Sequence, residues 1–312
     1  MTLKNKQILK NENENMDVLM KAIKAVHSVA VNTSSVSEED LARQRNEQEF
    51  FSKLITPSLR INSEKLMIGN IPSEWIRPDF AHSSKRVILY CHGGGYTCGG
   101  LNYARIIGAK LAINTGLEIM SFAYRLAPEN PYPAAIEDAM EVYDYLMYQG
   151  YGAKDVIIAG DSAGGNLALE IALRLRGQER KMPLALILLS PWTDLDMSGN
   201  SYESCAENDP LLTKEYILAV RKAYAGENVD YKLPEYSPLY GNLSDFPPTL
   251  VQVGSHEILK SDSEMLVKKM NASSGCAKLE VYKGGWHVFQ QMPTNMSAKA
   301  MKSISEFINK LV

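Results

Sequence analysis

One serine lies among unusually small residues, in the stretch Val156-Ile-Ile-Ala-Gly-Asp-Ser-Ala-Gly-Gly-Asn-Leu-Ala168. An apolar run typical of a buried strand precedes it, and apolar residues at helical spacing follow it. Gly160 to Gly164 therefore fit G-x-S-x-G at a strand-to-helix turn, the nucleophile elbow that exposes a serine hydroxyl. Small residues are needed there because the two backbones pass close together, and helix N–H groups favour developing negative charge. We interpret Ser162 as a nucleophile, with a plain tight turn as the alternative.

A serine hydroxyl is a weak nucleophile unless a nearby base accepts its proton. His287 is the best placed of the five histidines, because it follows an apolar strand in the segment Lys283-Gly-Gly-Trp-His-Val-Phe289. Ligands of open α/β sheets bind at the carboxyl ends of the strands, so this loop can reach the one that carries Ser162. His27, on a predicted helix, and His82, in a polar loop, are expected at the surface.

A carboxylate should orient that imidazole and stabilise its charged form. Glu257 and Asp262 are the candidates, because both follow the apolar run 249–253. We favour Glu257, which is nearer to the end of the strand, whereas Asp262 is expected to open the next helix as an N-terminal acid. A zinc motif H-E-x-x-H starting at His256 is excluded, since Lys260 occupies its last position.

Three consecutive glycines follow another apolar strand, in Tyr90-Cys-His-Gly-Gly-Gly-Tyr96. A backbone without Cβ atoms can approach a ligand closely and aim its N–H groups at an oxyanion. A flexible turn is the alternative, although ordering each residue costs about 1 kcal/mol or more. Phosphate-binding loops are disfavoured, because no lysine follows Gly165 and G-x-G-x-x-G is absent from both glycine-rich segments.

Apolar runs alternate with helical segments along most of the chain after residue 85. The predicted strands are 86–91, 118–124, 156–159, 184–189, 249–253 and 278–282. The predicted helices are 103–114, 133–149, 163–176, 261–273 and 295–311. Several strands are almost continuously apolar, which is typical of strands buried on both faces. The alternation predicts an α/β fold, with a mostly parallel central sheet flanked by helices.

Two parts of the chain depart from this alternation. Residues 195–247 are polar and rich in proline, with one predicted helix at 213–225 that a threonine caps. A long excursion between core strands favours a lid or cap over an unstructured loop. Towards the N-terminus, helices are predicted at 16–31 and after Ser37, and two short strands at 58–77.

Composition excludes several other classes of protein. The 312 residues are 45% hydrophobic and 22% charged, and the net charge of −3 gives no general attraction to nucleic acid. No window approaches the roughly 18 apolar residues of a membrane span. The four cysteines form no C-x-x-C pair and are expected as free thiols, which favours a cytoplasmic location.

Taken together, these features resemble the hormone-sensitive-lipase-like family of α/β-hydrolase esterases, in the family's order over roughly residues 86 to 290. The matching motifs are His92-Gly-Gly-Gly95, Gly160-Asp-Ser-Ala-Gly-Gly165, Tyr124-Arg-Leu-Ala-Pro-Glu129 with Pro131-Tyr-Pro-Ala-Ala135, the acid motif around Glu257, and Gly284-Gly-Trp-His287. The resemblance implies an α/β-hydrolase fold in a single domain, residues 1–312. It also implies a helical cap formed by residues 1–55 and 195–247.

The resemblance implies carboxylic-ester hydrolysis through an acyl-enzyme, in which Ser162 attacks, His287 carries the proton and Glu257 holds His287. The N–H groups implied to bind the oxyanion are those of Gly94, Gly95 and Ala163. It gives structural roles to four further residues, namely His92, Asp161, Arg125 and Glu129. One departure concerns the acid, since many relatives have Asp-Pro-Leu where this chain has Glu257-Ile-Leu259.

We therefore predict a serine hydrolase whose small-molecule substrates are short-chain esters, acetyl esters among them, with neither cofactor nor metal. Tyr96, Trp192 and Phe289 are predicted to line the substrate pocket, with burial in the core as the alternative. A non-catalytic ligand-binding protein of this fold is one rival hypothesis, and an amidase or acyltransferase with the same three residues is another. The sequence leaves open whether the protein forms a homodimer.

Overall fold

The computed structural model describes residues 37–55 and 60–311, so the helix predicted at 16–31 lies outside the described residues. The strands are β1 (Ile61–Ile68), β2 (Ile71–Pro78), β3 (Ser83–Cys91), β4 (Leu117–Phe122), β5 (Val156–Asp161), β6 (Ala185–Leu189), β7 (Thr249–Gly254) and β8 (Ala277–Tyr282). The α-helices are α1 (Glu38–Ile55), α2 (Leu101–Thr115), α3 (Ala134–Tyr148), α4 (Ala163–Gly177), α5 (Ser201–Ser204), α6 (Lys214–Ala225), α7 (Lys260–Ala272) and α8 (Asn295–Asn309). Short 3₁₀ turns occupy Ala153–Asp155, Pro238–Tyr240 and Phe289–Gln291.

The strands form one sheet in the order β1-β2-β4-β3-β5-β6-β7-β8. The pairs β1–β2 and β2–β4 are antiparallel, and every other neighbouring pair is parallel. Helices supply the connections between the parallel strands, as parallel pairing requires. The predicted α/β fold, with its mostly parallel sheet flanked by helices, is confirmed.

Side chains of the central strands alternate between two hydrophobic cores, one on each face of the sheet. Val87 and Leu89 of β3 lie in one core, whereas Ile88 and Tyr90 lie in the other, and all four are fully buried. This burial on both faces explains why the strands read as continuous apolar runs instead of alternating ones.

The predicted boundaries of the α/β elements agree with the structure to within two residues at every end but one. The exception is the start of β3, which lies at Ser83 instead of at the predicted residue 86. Ser83 pairs with Leu117 of β4, and regular pairing between the two strands begins at Val87 after an irregular stretch. The two strands predicted in 58–77 are the hairpin β1–β2.

Helix α1 is attached to the body of the protein through Arg45. Its guanidinium donates to the carbonyl of Thr97 at 2.8 Å and pairs with Glu129 at 2.7 Å. The hydrogen bond from Arg45 lowers the pKa of Glu129 to about 2, so this carboxylate is ionised at neutral pH. The structural role that the resemblance gives to Glu129 agrees with this ion pair.

All four cysteines are free thiols, as expected, and only Cys276 is exposed.

Within residues 37–55 and 60–311, no helix has the length and apolar character needed to cross a membrane.

A buried ion pair joins the antiparallel edge of the sheet to α2. Arg105 donates to both carboxylate oxygens of Glu74 in β2, at 2.7 to 3.2 Å, and Glu74 is fully buried. Removing one partner from a buried pair leaves an uncompensated charge, which costs more than the pair itself contributes.

We expect Arg105→Met to lower the free energy of unfolding by about 3 kcal/mol or more, because it strands the Glu74 carboxylate in the core. Urea denaturation followed by tryptophan fluorescence measures the change. Arg43→Met is the matched control, since Arg43 is 48% exposed and pairs with Asp40 at the surface. Its expected cost is under about 0.5 kcal/mol. Equal costs for the two variants would contradict this interpretation.

Candidate active site

Three side chains from distant parts of the chain form one line of hydrogen bonds at the carboxyl edge of the sheet. Ser162 follows β5, Glu257 follows β7 and His287 follows β8. His287 Nε2 lies 2.9 Å from Ser162 Oγ, and His287 Nδ1 lies 2.9 Å from Glu257 Oε2. Because an ionised carboxylate can only accept, Nδ1 donates its proton to Glu257, and Nε2 is left to accept from the serine.

The turn at Ser162 has a strained backbone. Its φ of 54° lies in the left-handed region, where only a few per cent of non-glycine residues are found. A Cβ on Gly160 would lie 2.1 Å from the carbonyl oxygen of Gly164, and one on Gly164 would lie 2.1 Å from that of Cys91. These contacts are the physical reason for the small residues that surround Ser162.

Two donors besides the imidazole fix the carboxylate of Glu257, which is fully buried. Its Oε1 accepts from the hydroxyl of Ser190 at 2.9 Å and from the N–H of Gly254 at 2.5 Å. The other oxygen faces His287, so the side chain has one orientation in which every bond is made. The extra methylene of glutamate, compared with aspartate, is thereby accommodated in this loop.

The pKa of His287 reflects opposing influences. Burial lowers it, but the hydrogen bond and the charge of Glu257 raise it, and the charges of Asp209 and Asp161 add to that effect. The result is a pKa above the ordinary value of an imidazole. The site therefore stabilises the protonated ring while keeping it buried.

Asp262, the alternative acid, lies elsewhere. Its carboxylate is in the first turn of α7 and accepts from the N–H groups of Thr193 and Asp194 at 2.9 and 3.0 Å. Burial, followed by the charge of Asp194, raises its pKa well above the usual range. The structure thus brings Glu257 to His287, and Asp262 opens the next helix as expected.

The residues predicted as oxyanion donors lie in the glycine-rich loop and at the start of α4. Gly94 and Gly95 have φ values of 117° and 60°, which favour glycine, and Ala163 is the first residue of α4. Among the described residues, no hydrogen bond has the N–H of any of these three as its donor. A helix N-terminus leaves its first N–H groups without intrahelical partners, as is the case for Ala163.

Asp161 and His92 are held within the protein rather than aimed at the serine. Asp161 accepts from the hydroxyls of Tyr90 and Tyr103, at 2.5 and 2.9 Å, and from the N–H of Gly93 at 2.9 Å. His92 stacks on a tyrosine ring with centroids 4.1 Å apart, and burial lowers its pKa to about 4. These contacts agree with the bracing roles that the resemblance implies.

The three residues predicted to line the substrate pocket are each only 1% exposed, namely Tyr96, Trp192 and Phe289. Tyr96 stacks on Tyr224 with ring centroids 3.7 Å apart and donates its hydroxyl to Asn166. Their contact with a substrate stays a prediction.

Sequence reasoning missed two charged groups near the site, one buried and one partly buried. Asp209 accepts from the N–H of Ile258, the residue after Glu257, at 2.9 Å. Lys110 donates to the carbonyls of Gln290, Gln291 and Met292 at 2.7 to 2.9 Å, just after His287. Burial lowers its pKa to about 8. The sequence signal for Asp209 was weak, an acid followed by Pro-Leu-Leu in an excursion that holds several other acids, and Lys110 gave none.

Among residues 37–55 and 60–311, no cluster of histidine, cysteine and carboxylate side chains could hold a metal ion.

A family model described as the alpha/beta hydrolase fold matches residues 88–291, more than half of the chain. An esterase of Acinetobacter venetianus is 39% identical over 231 residues, which cover 73% of this chain and 76% of that protein. An acetyl-hydrolase of Streptomyces hygroscopicus is 35% identical over 219 residues, or 70% and 71% of the two chains.

Solved structures show the same relationship. An esterase from the bacterial hormone-sensitive lipase family, 32% identical, superimposes with a TM-score of 0.85 over 94% of this chain and 97% of the other. A hormone-sensitive lipase from a metagenome library, 30% identical, gives a TM-score of 0.88 over 95% and 98%. The resemblance seen in the motifs is confirmed, and this chain belongs to the α/β-hydrolase family as a hydrolase related to the hormone-sensitive-lipase esterases.

Proposed function

We propose that this protein is a serine esterase that hydrolyses short-chain acyl esters through an acyl-enzyme intermediate. The observation that carries the proposal is the hydrogen-bonded line of Ser162, His287 and Glu257, with separations of 2.9 Å. Both links lie within the range in which a base can take a proton from a nucleophile and an acid can orient that base.

In the first half of the reaction, His287 Nε2 accepts the proton of Ser162 as its oxygen attacks the carbonyl carbon of the ester. Negative charge then develops on the former carbonyl oxygen. The N–H groups of Gly94, Gly95 and Ala163 stabilise that oxyanion. Glu257 stabilises the imidazolium through Nδ1.

The imidazolium next gives its proton to the leaving alkoxide, so the alcohol departs and an acyl group stays on Ser162. In the second half, His287 takes a proton from water, which attacks the acyl carbon, and then returns that proton to the serine oxygen. Each proton that leaves Ser162 or water is thus accounted for, and no cofactor is required.

Short acyl chains are favoured because one relative is an acetyl-hydrolase.

The proposal includes a cap, made of residues 1–55 and 195–247, over a single domain, and residues 1–36 of that cap lie outside the described residues. Support comes from α1, which Arg45 ties to the glycine-rich loop, and from α6, whose Tyr216 and Val220 lie within 3.3 Å of a Cβ placed on Gly95. Thr213 caps α6 by accepting from the N–H of Tyr216 at 3.1 Å, as its sequence predicts.

We expect a fluorophosphonate probe to label the wild-type protein stoichiometrically at Ser162 and to leave Ser162→Ala unlabelled, as intact-mass spectrometry would show. Absent labelling would favour a non-catalytic ligand-binding protein.

A series of p-nitrophenyl esters of rising acyl length, with Ser162→Ala as the blank, should give its highest kcat/KM at the acetyl or butyryl ester. Product analysis with added alcohol or amine separates hydrolysis from acyl transfer.

The two candidate acids can be ranked directly. We expect Glu257→Gln to lower kcat by about 100-fold or more, because the amide cannot stabilise the imidazolium as the carboxylate does. Asp262→Asn should stay within about threefold of wild type, since Asp262 does not contact His287 and the amide oxygen of asparagine can still accept from the N–H groups of Thr193 and Asp194. Initial rates with p-nitrophenyl acetate decide between them, and the reverse ranking would refute the assignment of Glu257.

The pH dependence follows from the pKa of His287. Only the neutral imidazole can accept a proton, so kcat/KM should fall as pH drops through that pKa, which lies above the ordinary imidazole value. Glu257→Gln removes the main influence that raises the pKa, and this acid limb should therefore move to lower pH. Rates measured from about pH 5 to pH 9 test the shift. A limb that moves to higher pH in the variant would contradict the proposed pairing.

A further inference from the structure

The carboxylate of Asp209 is bonded to the loop after β7 that carries Glu257, called the acid loop below, and takes no part in the reaction described above. It belongs to the excursion between β6 and β7, and the residue is only 4% exposed. Three backbone N–H groups satisfy it. Its Oδ1 accepts from Leu211 and Leu212, each at 2.9 Å, and its Oδ2 accepts from Ile258, also at 2.9 Å.

These bonds join two segments that are distant in sequence. Leu211 and Leu212 lie in the excursion itself, whereas Ile258 directly follows Glu257 in the loop after β7. The carboxylate thus fixes the peptide unit next to the acid that holds His287. Loss of the bond to Ile258 would leave a buried N–H without a partner, which the loop can relieve only by moving.

Asp209 also acts on His287 through its charge. Three carboxylates raise the pKa of that imidazole, namely Glu257, Asp209 and Asp161, and only Glu257 contacts the ring directly. Burial raises the pKa of Asp209 itself to about 6, while the charge of His287 and the three N–H groups oppose that rise. Poor screening by water lets such charges act over longer distances than they would at the surface.

Resting on the function proposed above, we propose that Asp209 is a positioning residue for the reaction. It holds the acid loop from the excursion side and stabilises the protonated His287 from a second direction. The segment that we propose as part of the cap thereby supplies a group on which the catalytic base depends.

Asp209→Asn tests both roles because it keeps the size of the side chain and removes the charge. One amide oxygen can still accept, but the NH₂ group must face at least one backbone N–H donor. Asp209→Glu is the second variant, which keeps the charge and displaces the carboxylate. Asp196→Asn is the matched control, because Asp196 lies in the same excursion and its side chain, 36% exposed, pairs with Lys232.

We expect Asp209→Asn to lower kcat about tenfold or more with KM within about twofold of wild type, since misplacement of the reacting groups affects turnover more than binding. The acid limb of kcat/KM should move to lower pH, because His287 loses one of the charges that raise its pKa. Asp209→Glu should lower kcat with the acid limb near its wild-type position. Asp196→Asn should match wild type in both measurements.

An unmoved acid limb in folded Asp209→Asn would overturn the proposal, whatever its kcat. Circular dichroism and thermal melts establish whether the variant folds. If it does not, Asp209→Glu decides, and a wild-type kcat there would overturn the positioning role. Fluorophosphonate labelling of the wild-type protein keeps the two proposals separate. Without labelling at Ser162 the esterase proposal fails, whereas normal labelling with unaltered Asp209 variants defeats only this inference.

Discussion

The placement of the His287 imidazole between Ser162 and Glu257 is the constraint on which the rest of the structure depends. Ser162 and His287 are 125 residues apart in sequence, yet their reacting atoms are 2.9 Å apart. Parallel strands bring such distant residues together, because all their carboxyl ends lie at one edge of the sheet. The strands β5, β7 and β8 carry the three residues within a span of four neighbouring strands.

Such a site concentrates buried carboxylates, and each is stabilised by its own set of donors. Glu257 has the hydroxyl of Ser190 and the N–H of Gly254, Asp209 has three backbone N–H groups, and Asp161 has two tyrosine hydroxyls and one N–H. Without these bonds, burial would raise the pKa values of Asp161 and Asp209 further. With them, negative charge surrounds His287 and favours its protonated form.

The loops at this edge are held by the body of the protein as well as by each other. Lys110 of α2 donates to three consecutive carbonyls that follow His287, so its ammonium group closes the end of that turn. The same helix begins just after the glycine-rich loop, and Tyr103 near its start donates to Asp161, the neighbour of Ser162. One helix thus links the predicted oxyanion loop, the serine turn and the histidine loop, which keeps their relative positions fixed.

The sequence by itself determined the α/β alternation, most element boundaries, and the serine and histidine of the hydrogen-bonded line. Those features depend on local periodicity and on glycine and serine spacing, which act within a few residues of the chain. Only the tertiary structure decided that Glu257 rather than Asp262 faces His287, that Tyr96, Trp192 and Phe289 are buried, and that Asp209 and Lys110 support the site. These outcomes depend on which loops meet in space, and two carboxylates five residues apart look alike until the fold aims one at the imidazole and the other at the N–H groups of Thr193 and Asp194.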